Sequence, residues 1–143
     1  LGAGVGVGEV GKMDSTVAYQ GRCAVRYNKL HAEVDVFPTP VVPAECSHTY
    51  QSYVLRVTEG GVRVRNHVMD VLASQDIQTR PGTHAVHRLG YYAKKYGLKA
   101  EQFPCAAAAE DETIAIPLFP GMTLAEQELV AEALKKSLVN PAG

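Results

Sequence analysis

Thr113-Ile114-Ala115-Ile116-Pro117-Leu118-Phe119-Pro120 is followed, after two residues, by Thr123-Leu124-Ala125-Glu126-Gln127-Glu128-Leu129-Val130. The first run is apolar, rich in β-branched residues and punctuated by prolines, which predicts a short buried strand whose end the prolines set. In the second, Thr123 stands at the N-cap and Glu126 at the capping-box position, where each side chain satisfies a backbone N–H of the other. Leu124, Leu129, Val130, Ala133, Leu134 and Leu138 then share one helical face, while Lys135 and Lys136 complement the negative end of the helix dipole. A strand leading directly into an amphipathic helix points to an α/β fold.

The preceding segments extend that pattern. Glu101 to Ala109 predicts a short helix interrupted at Pro104. Val86, Leu89, Tyr92 and Ala93 recur at helical spacing, predicting a helix that ends near Gly97. Ile77 to Arg80 predicts a brief strand stopped by Pro81-Gly82. Thr49 to Val57, β-branched and aromatic, predicts a strand closed by Glu59-Gly60-Gly61, and Val62, Val64, Val68, Val71 and Leu72 predict the helix after it. Pro38, Pro40 and Pro43 impose an extended connector over Val36 to Ala44. Before it, Val7, Val10, Met13, Val17, Ala24, Tyr27, Leu30 and Val34 describe a long N-terminal helix, whose glycines each cost up to ~1 kcal/mol relative to alanine. Gly6-x-Gly8-x-x-Gly11 matches a dinucleotide-binding pattern only formally, because no strand precedes it. The expectation is a short few-stranded sheet packed with helices, behind a long N-terminal helix.

Composition narrows the functional classes. At 143 residues, 46% hydrophobic, with 14 Lys+Arg against 15 Asp+Glu, the chain reads as one domain able to build its own core. Its near-neutral balance argues against nucleic acid and anionic membranes as partners. Cys23, Cys46 and Cys105 are odd in number and far apart, so they predict thiols in a reducing cytoplasm rather than a disulfide framework or zinc site. Neither a membrane-spanning stretch nor an export leader is recognisable, and a cytoplasmic location is expected. Leu1 in place of Met leads to the expectation that the natural chain begins earlier or has been trimmed.

Chemistry concentrates in Thr79-Arg80-Pro81-Gly82-Thr83-His84-Ala85-Val86-His87-Arg88. Arg80 and Arg88 can fork onto phosphate or carboxylate, and the two imidazoles can exchange protons near neutrality. His84 and His87, three residues apart, would share a metal if they lay on one helical turn, but no third ligand lies nearby and no metal is expected. The alternative left open is structural: Pro81-Gly82 makes a turn, Thr83 caps the next helix, and the histidines pack or face water. Lys12, Lys29, Lys94, Lys95, Lys99, Lys135 and Lys136 all fall on exposed faces or helix ends, so none reads as an imine-forming lysine, which needs its pKa lowered by burial or a neighbouring cation.

Read together, several stretches resemble the DegT/DnrJ/StrS-type sugar aminotransferases, fold-type-I enzymes that use pyridoxal phosphate to aminate keto sugars, usually nucleotide-linked. Ala3 to Asp14 is similar to that family's Ala-Ala-Ile-Gly-Leu-Ala-Gln-Leu-x-Lys-Leu-Asp helix, and Arg22 to Asn28 to the Arg-x-x-Ala-x-Arg-Tyr-Asn that follows it. His48 to Val57 is similar to a His-x-Tyr-x-x-Tyr-Val-x-Arg-Val strand, and Ile77 to His87 to the loop at the mouth of the active site. Phe103-Pro104-Cys105-Ala106, Ile116 to Pro120 and Met122-Thr123-x-x-Glu126-Gln127 complete the order.

The resemblance implies the small domain of such an enzyme: residues 1–35 the helix that links to an N-terminal large domain, residues 36–143 the small α/β domain. It also implies that the aldimine lysine, the pyridine-nitrogen aspartate and most phosphate contacts belong to that large domain. This chain would then bind no cofactor alone and would not be catalytic by itself. Thr79, Thr83, His84 and His87 would be wall residues toward substrate or cofactor, with Arg80 an anion contact. The implied partners are a large aminotransferase domain or a second copy in a homodimer, with a nucleotide-sugar as substrate of full-length relatives. The alternative is a truncated gene product serving as a binding or oligomerisation module, whose first helix is reused for self-association.

Overall fold

The computed structural model describes residues 10–32 and 34–138 of the chain. In order these form α1 (Met13–His31), β1 (Tyr53–Arg56), α2 (Gly61–Ala73), β2 (Arg80–Pro81), α3 (Gly90–Tyr96), α4 (Pro104–Glu112), β3 (Thr113–Ile116) and α5 (Leu124–Ser137). Single 3-10 turns at Val86–Arg88 and Ala100–Gln102 flank α3. The glycine-rich opening at Gly2 to Gly8 lies outside the described residues. Among the described residues no helix is long and apolar enough to cross a membrane.

The last strand in sequence is the middle strand in space. β3 pairs antiparallel with β1 on one side and with β2 on the other. Alternation sorts the faces: Tyr53 opposite Ile116 and Leu55 opposite Ile114 are buried, whereas Val54 opposite Ala115 stays half-exposed. The buried face meets Val64, Val68 and Leu72 of α2 and Val130, Ala133 and Leu134 of α5 in one core. Complete burial of side chains such as Leu55, Leu72 or Leu134 contributes roughly 1.5–3 kcal/mol each. Pro81 has no N–H to give to a ladder, and β2 accordingly occupies an edge.

Tyr27 ties α1 to this core. Its ring is buried 5.0 Å from that of Tyr53, and its hydroxyl donates to the Pro117 carbonyl at 2.9 Å. Tyr53 in turn donates to Asn28 Oδ1 at 2.6 Å. Gln127, buried on α5, donates from Nε2 to the Cys23 carbonyl at 3.0 Å, and Arg26 pairs with Glu128 at 2.5 Å. The Thr123–Glu126 capping box is present in both directions.

Several sequence expectations shift. The strand expected over Thr49 to Val57 starts only at Tyr53, because Tyr50 takes a φ of 51° and its N–H turns to His48 Nδ1 at 2.8 Å. Pro104 begins α4 rather than interrupting a helix, since the first helical position needs no N–H. The helix expected from Val86 to Gly97 is split at Leu89, and none of the side chains of α3 is buried. Leu124 and Leu129, expected on the packed face of α5, are 61% and 54% exposed.

His31 sits 2% exposed at the end of α1, its ring stacked on Tyr27 at 5.8 Å and both ring nitrogens without a hydrogen-bond partner. Burial, with a smaller contribution from Lys135, pushes its pKa down to about 4. A depressed imidazole pKa means that the unfolded chain binds the proton first, so stability is full above about pH 6.5 and is lost as pH falls toward 4. Chemical denaturation at pH 7 and pH 5 should show the native chain losing on the order of 1–2 kcal/mol more than a His31→Phe variant. Equal losses in the two proteins would remove His31 from that role.

Candidate functional site

The polar loop leaves the sheet at β2 and is shaped first by Gly82. Its N–H donates to the Thr113 carbonyl at 3.1 Å. A Cβ at this position would lie 2.5 Å from both Thr113 Oγ1 and Val54 Cγ1, so only glycine lets the chain pass this close to the sheet. Beyond it, Thr83 and His84 are exposed, while Ala85 and His87 turn inward. Thr83 does not cap the following turn: that turn starts from Ala85 and has no side-chain cap.

The two histidines part company. His84 places Nδ1 3.5 Å from Glu110 Oε1 with its side chain 69% exposed. His87 is 6% exposed, its ring centre 5.0 Å from that of Phe103 and its Nε2 without a hydrogen-bond partner. Among the described residues no group of three His, Cys, Asp or Glu side chains is arranged to hold a metal.

Arg88 does not reach outward for an anion. It donates to both Asp111 oxygens, at 2.7 and 3.0 Å, and to Glu110 at 3.2 Å. Of the two anions its fork could take, phosphate or carboxylate, it meets the carboxylates of α4, which fasten the loop to that helix. The hydrogen bonds from Arg88 hold the Asp111 carboxyl below its ordinary range.

Thr79 and Arg80 instead line a cleft of about 740 Å³ at the end of the sheet, beside the first turns of α5. Its floor is apolar, including Ile116 and Met122, and Gln51 and Ser52 add polar groups to its rim. Arg80 is exposed there. Thr83, His84 and His87 do not line this cleft, so the loop divides into an arm facing the cleft and an arm folded over α4. Gln51 and Ser52 escaped the sequence reading because they fell within an expected strand. Glu126, also at the cleft, was legible only as a cap, and hydrogen bonds from the Thr123 backbone and side chain lower its pKa. None of the seven lysines lines the cleft or is buried.

In an Arg88→Gln variant the Asp111 carboxyl should titrate at higher pH, and the amides of Arg88 and Leu89 should exchange faster with solvent. Carboxyl-detected NMR titration and hydrogen exchange read both. Unchanged values would mean that the ion pairs do not hold the loop.

Comparison with known proteins bears on all of the described elements. A model of the DegT/DnrJ/EryC1/StrS aminotransferase family matches residues 1–135. The spore coat polysaccharide biosynthesis protein SpsC of Bacillus subtilis is 27% identical over 137 residues, which are 94% of this chain and 35% of that protein. Spr1654 of Streptococcus pneumoniae in its PLP form superposes with a TM-score of 0.87 at 19% identity, over 96% of this chain and 35% of that one. The aminotransferase TlmJ of Streptoalloteichus hindustanus gives 0.83 at 22% identity, over 96% and 36%. The chain therefore spans about a third of the length of the relatives it matches.

Proposed function

The chain belongs to the DegT/DnrJ/EryC1/StrS aminotransferase family, and on that premise we propose that it is the C-terminal small domain of a pyridoxal-phosphate-dependent nucleotide-sugar aminotransferase, contributing wall residues to a site completed by a large domain. The observation that carries this reading is the coverage: nearly the whole chain matches, and it matches about a third of each relative. The cleft is where the two parts would meet. Arg80 supplies a fixed positive charge to an anionic group, and Thr79 a hydroxyl beside it. Thr83 and His84, exposed on the arm of the loop folded over α4, would form a separate stretch of wall outside the cleft, with His87 buried against Phe103 behind it.

The residues present do not fit pyridoxal phosphate by themselves. An imine-forming lysine is activated by desolvation or a neighbouring cation, whereas the lysines here are exposed or, for Lys135, half-buried beside Glu132 at 3.6 Å. No catalytic step is assigned to this chain alone.

Incubation with pyridoxal phosphate followed by borohydride should leave no single lysine stoichiometrically labelled, as read by peptide mass mapping. A unique pyridoxyl-lysine would overturn the reading. A second reading, a free-standing oligomerisation module, is favoured by one observation: none of the α1 residues from Met13 to Arg22 is buried, and Val10 and Met13 are 66% and 55% exposed. Sedimentation velocity distinguishes it, because a module of this kind shifts from monomer to dimer with concentration and a Met13→Glu variant does not.

A further inference from the structure

The buried side chains of α2 are Val64, Arg65, Val68 and Leu72, so a guanidinium stands among three hydrocarbons. Arg65 is 7% exposed, a depth that arginine rarely reaches unless it is paired. No carboxylate among the described residues forms an ion pair with it. Its one hydrogen bond among them runs from Nη1 to Met69 Sδ at 3.9 Å, and a thioether is a weak acceptor. Nε is sealed from solvent with no acceptor at all.

The neighbouring helix does not relieve that charge. α2 packs against α4, whose middle reads Ala106-Ala107-Ala108-Ala109, with Ala107 buried, and methyl groups accept no hydrogen bond. The carboxylates of α4 stand in its last turn and are committed elsewhere, Glu112 to Arg56 and both Glu110 and Asp111 to Arg88. Asp111 feels Arg65 through space, yet both of its oxygens accept from Arg88. Arginine cannot shed its proton to escape burial, and an uncompensated ion at such depth is among the costliest features a fold can carry.

We propose that Arg65, on the side of α2 that is buried in this chain, is the binding site of a small oxyanion, a carboxylate or phosphate group that bridges Nε and Nη2. With Nη1 directed at Met69, that edge is the one left over, and it is the edge of a guanidinium that takes two oxygens side-on. Water would satisfy the N–H groups and leave the charge, whereas an oxyanion answers both. The limit on size follows from burial: the chain itself covers all but 7% of the residue, too narrow an approach for a macromolecular surface. Arg65 does not line the cleft, and the site requires neither pyridoxal phosphate nor a large domain.

Arginine Nε–H groups give their own proton–nitrogen NMR correlations, so the site can be watched directly. At neutral pH and constant ionic strength, sodium formate should move the Arg65 Nε–H signal saturably, with chloride, which cannot bridge the fork, binding roughly fivefold more weakly or worse. Formate should also raise the urea midpoint of the native chain and not that of Arg65→Met, because an ion held only by the folded state stabilises it by mass action. Arg65→Lys keeps the charge without the fork and should bind formate roughly tenfold more weakly. If neither variant folds, the titration of the native chain decides alone. Inorganic phosphate in place of formate shows which oxyanion the site prefers, and either preference supports the proposal. An Arg65 signal that ignores both oxyanions, equal affinity for chloride, or equal stabilisation of the native and Arg65→Met chains by formate would each overturn it.

Discussion

The hydroxyl of Tyr27 is the point through which the parts of this molecule are joined. A buried phenol must find an acceptor or lose the equivalent of a hydrogen bond, and this one reaches the Pro117 carbonyl just after β3, with Met122 Sδ at 3.7 Å. The ring around that hydroxyl contacts both His31 and Tyr53. One side chain thus holds α1, the central strand and the approach to α5 in register. Desolvation raises its pKa well above the usual phenol range, so the group stays a donor at any physiological pH.

The same economy shapes the loop. Gly82 permits the crossing over the sheet, Arg88 fastens the far end to α4, and Phe103 covers His87. Between those anchors Thr83 and His84 remain at the surface, while Thr79 and Arg80 look toward the cleft. A rigid frame with a few unsatisfied polar groups is how fixed scaffolds present binding residues.

What could be read from the residues was whatever is encoded locally. The Thr123–Glu126 cap, the strand at Thr113 to Ile116 and the helix through Val64, Val68 and Leu72 each depend on neighbours a few positions away. The motif Arg22 to Asn28 was legible as a resemblance, and its physical content emerges only in three dimensions: Tyr27 serves as the joint and Asn28 accepts from Tyr53. That Arg88 forks onto carboxylates of this same chain was not legible, because they lie 22 and 23 positions away, a spacing that no local motif announces. Helical periodicity in α3 was real, yet period alone does not say whether a face meets a core or solvent. The left-handed turn at Tyr50 carried no glycine to signal it.

The contact between Cys23 and Gln127 spans 104 positions, and that distance has a meaning in time as well as in space. During synthesis α1 leaves the ribosome long before its helical partner exists. At common elongation rates the interval is roughly 5–20 s, far longer than a helix needs to form or fray. Throughout it the part of α1 that meets Gln127 has no α5 to pack on. The contact that closes α1 onto α5 can therefore form only after nearly all of the residues between them have been made.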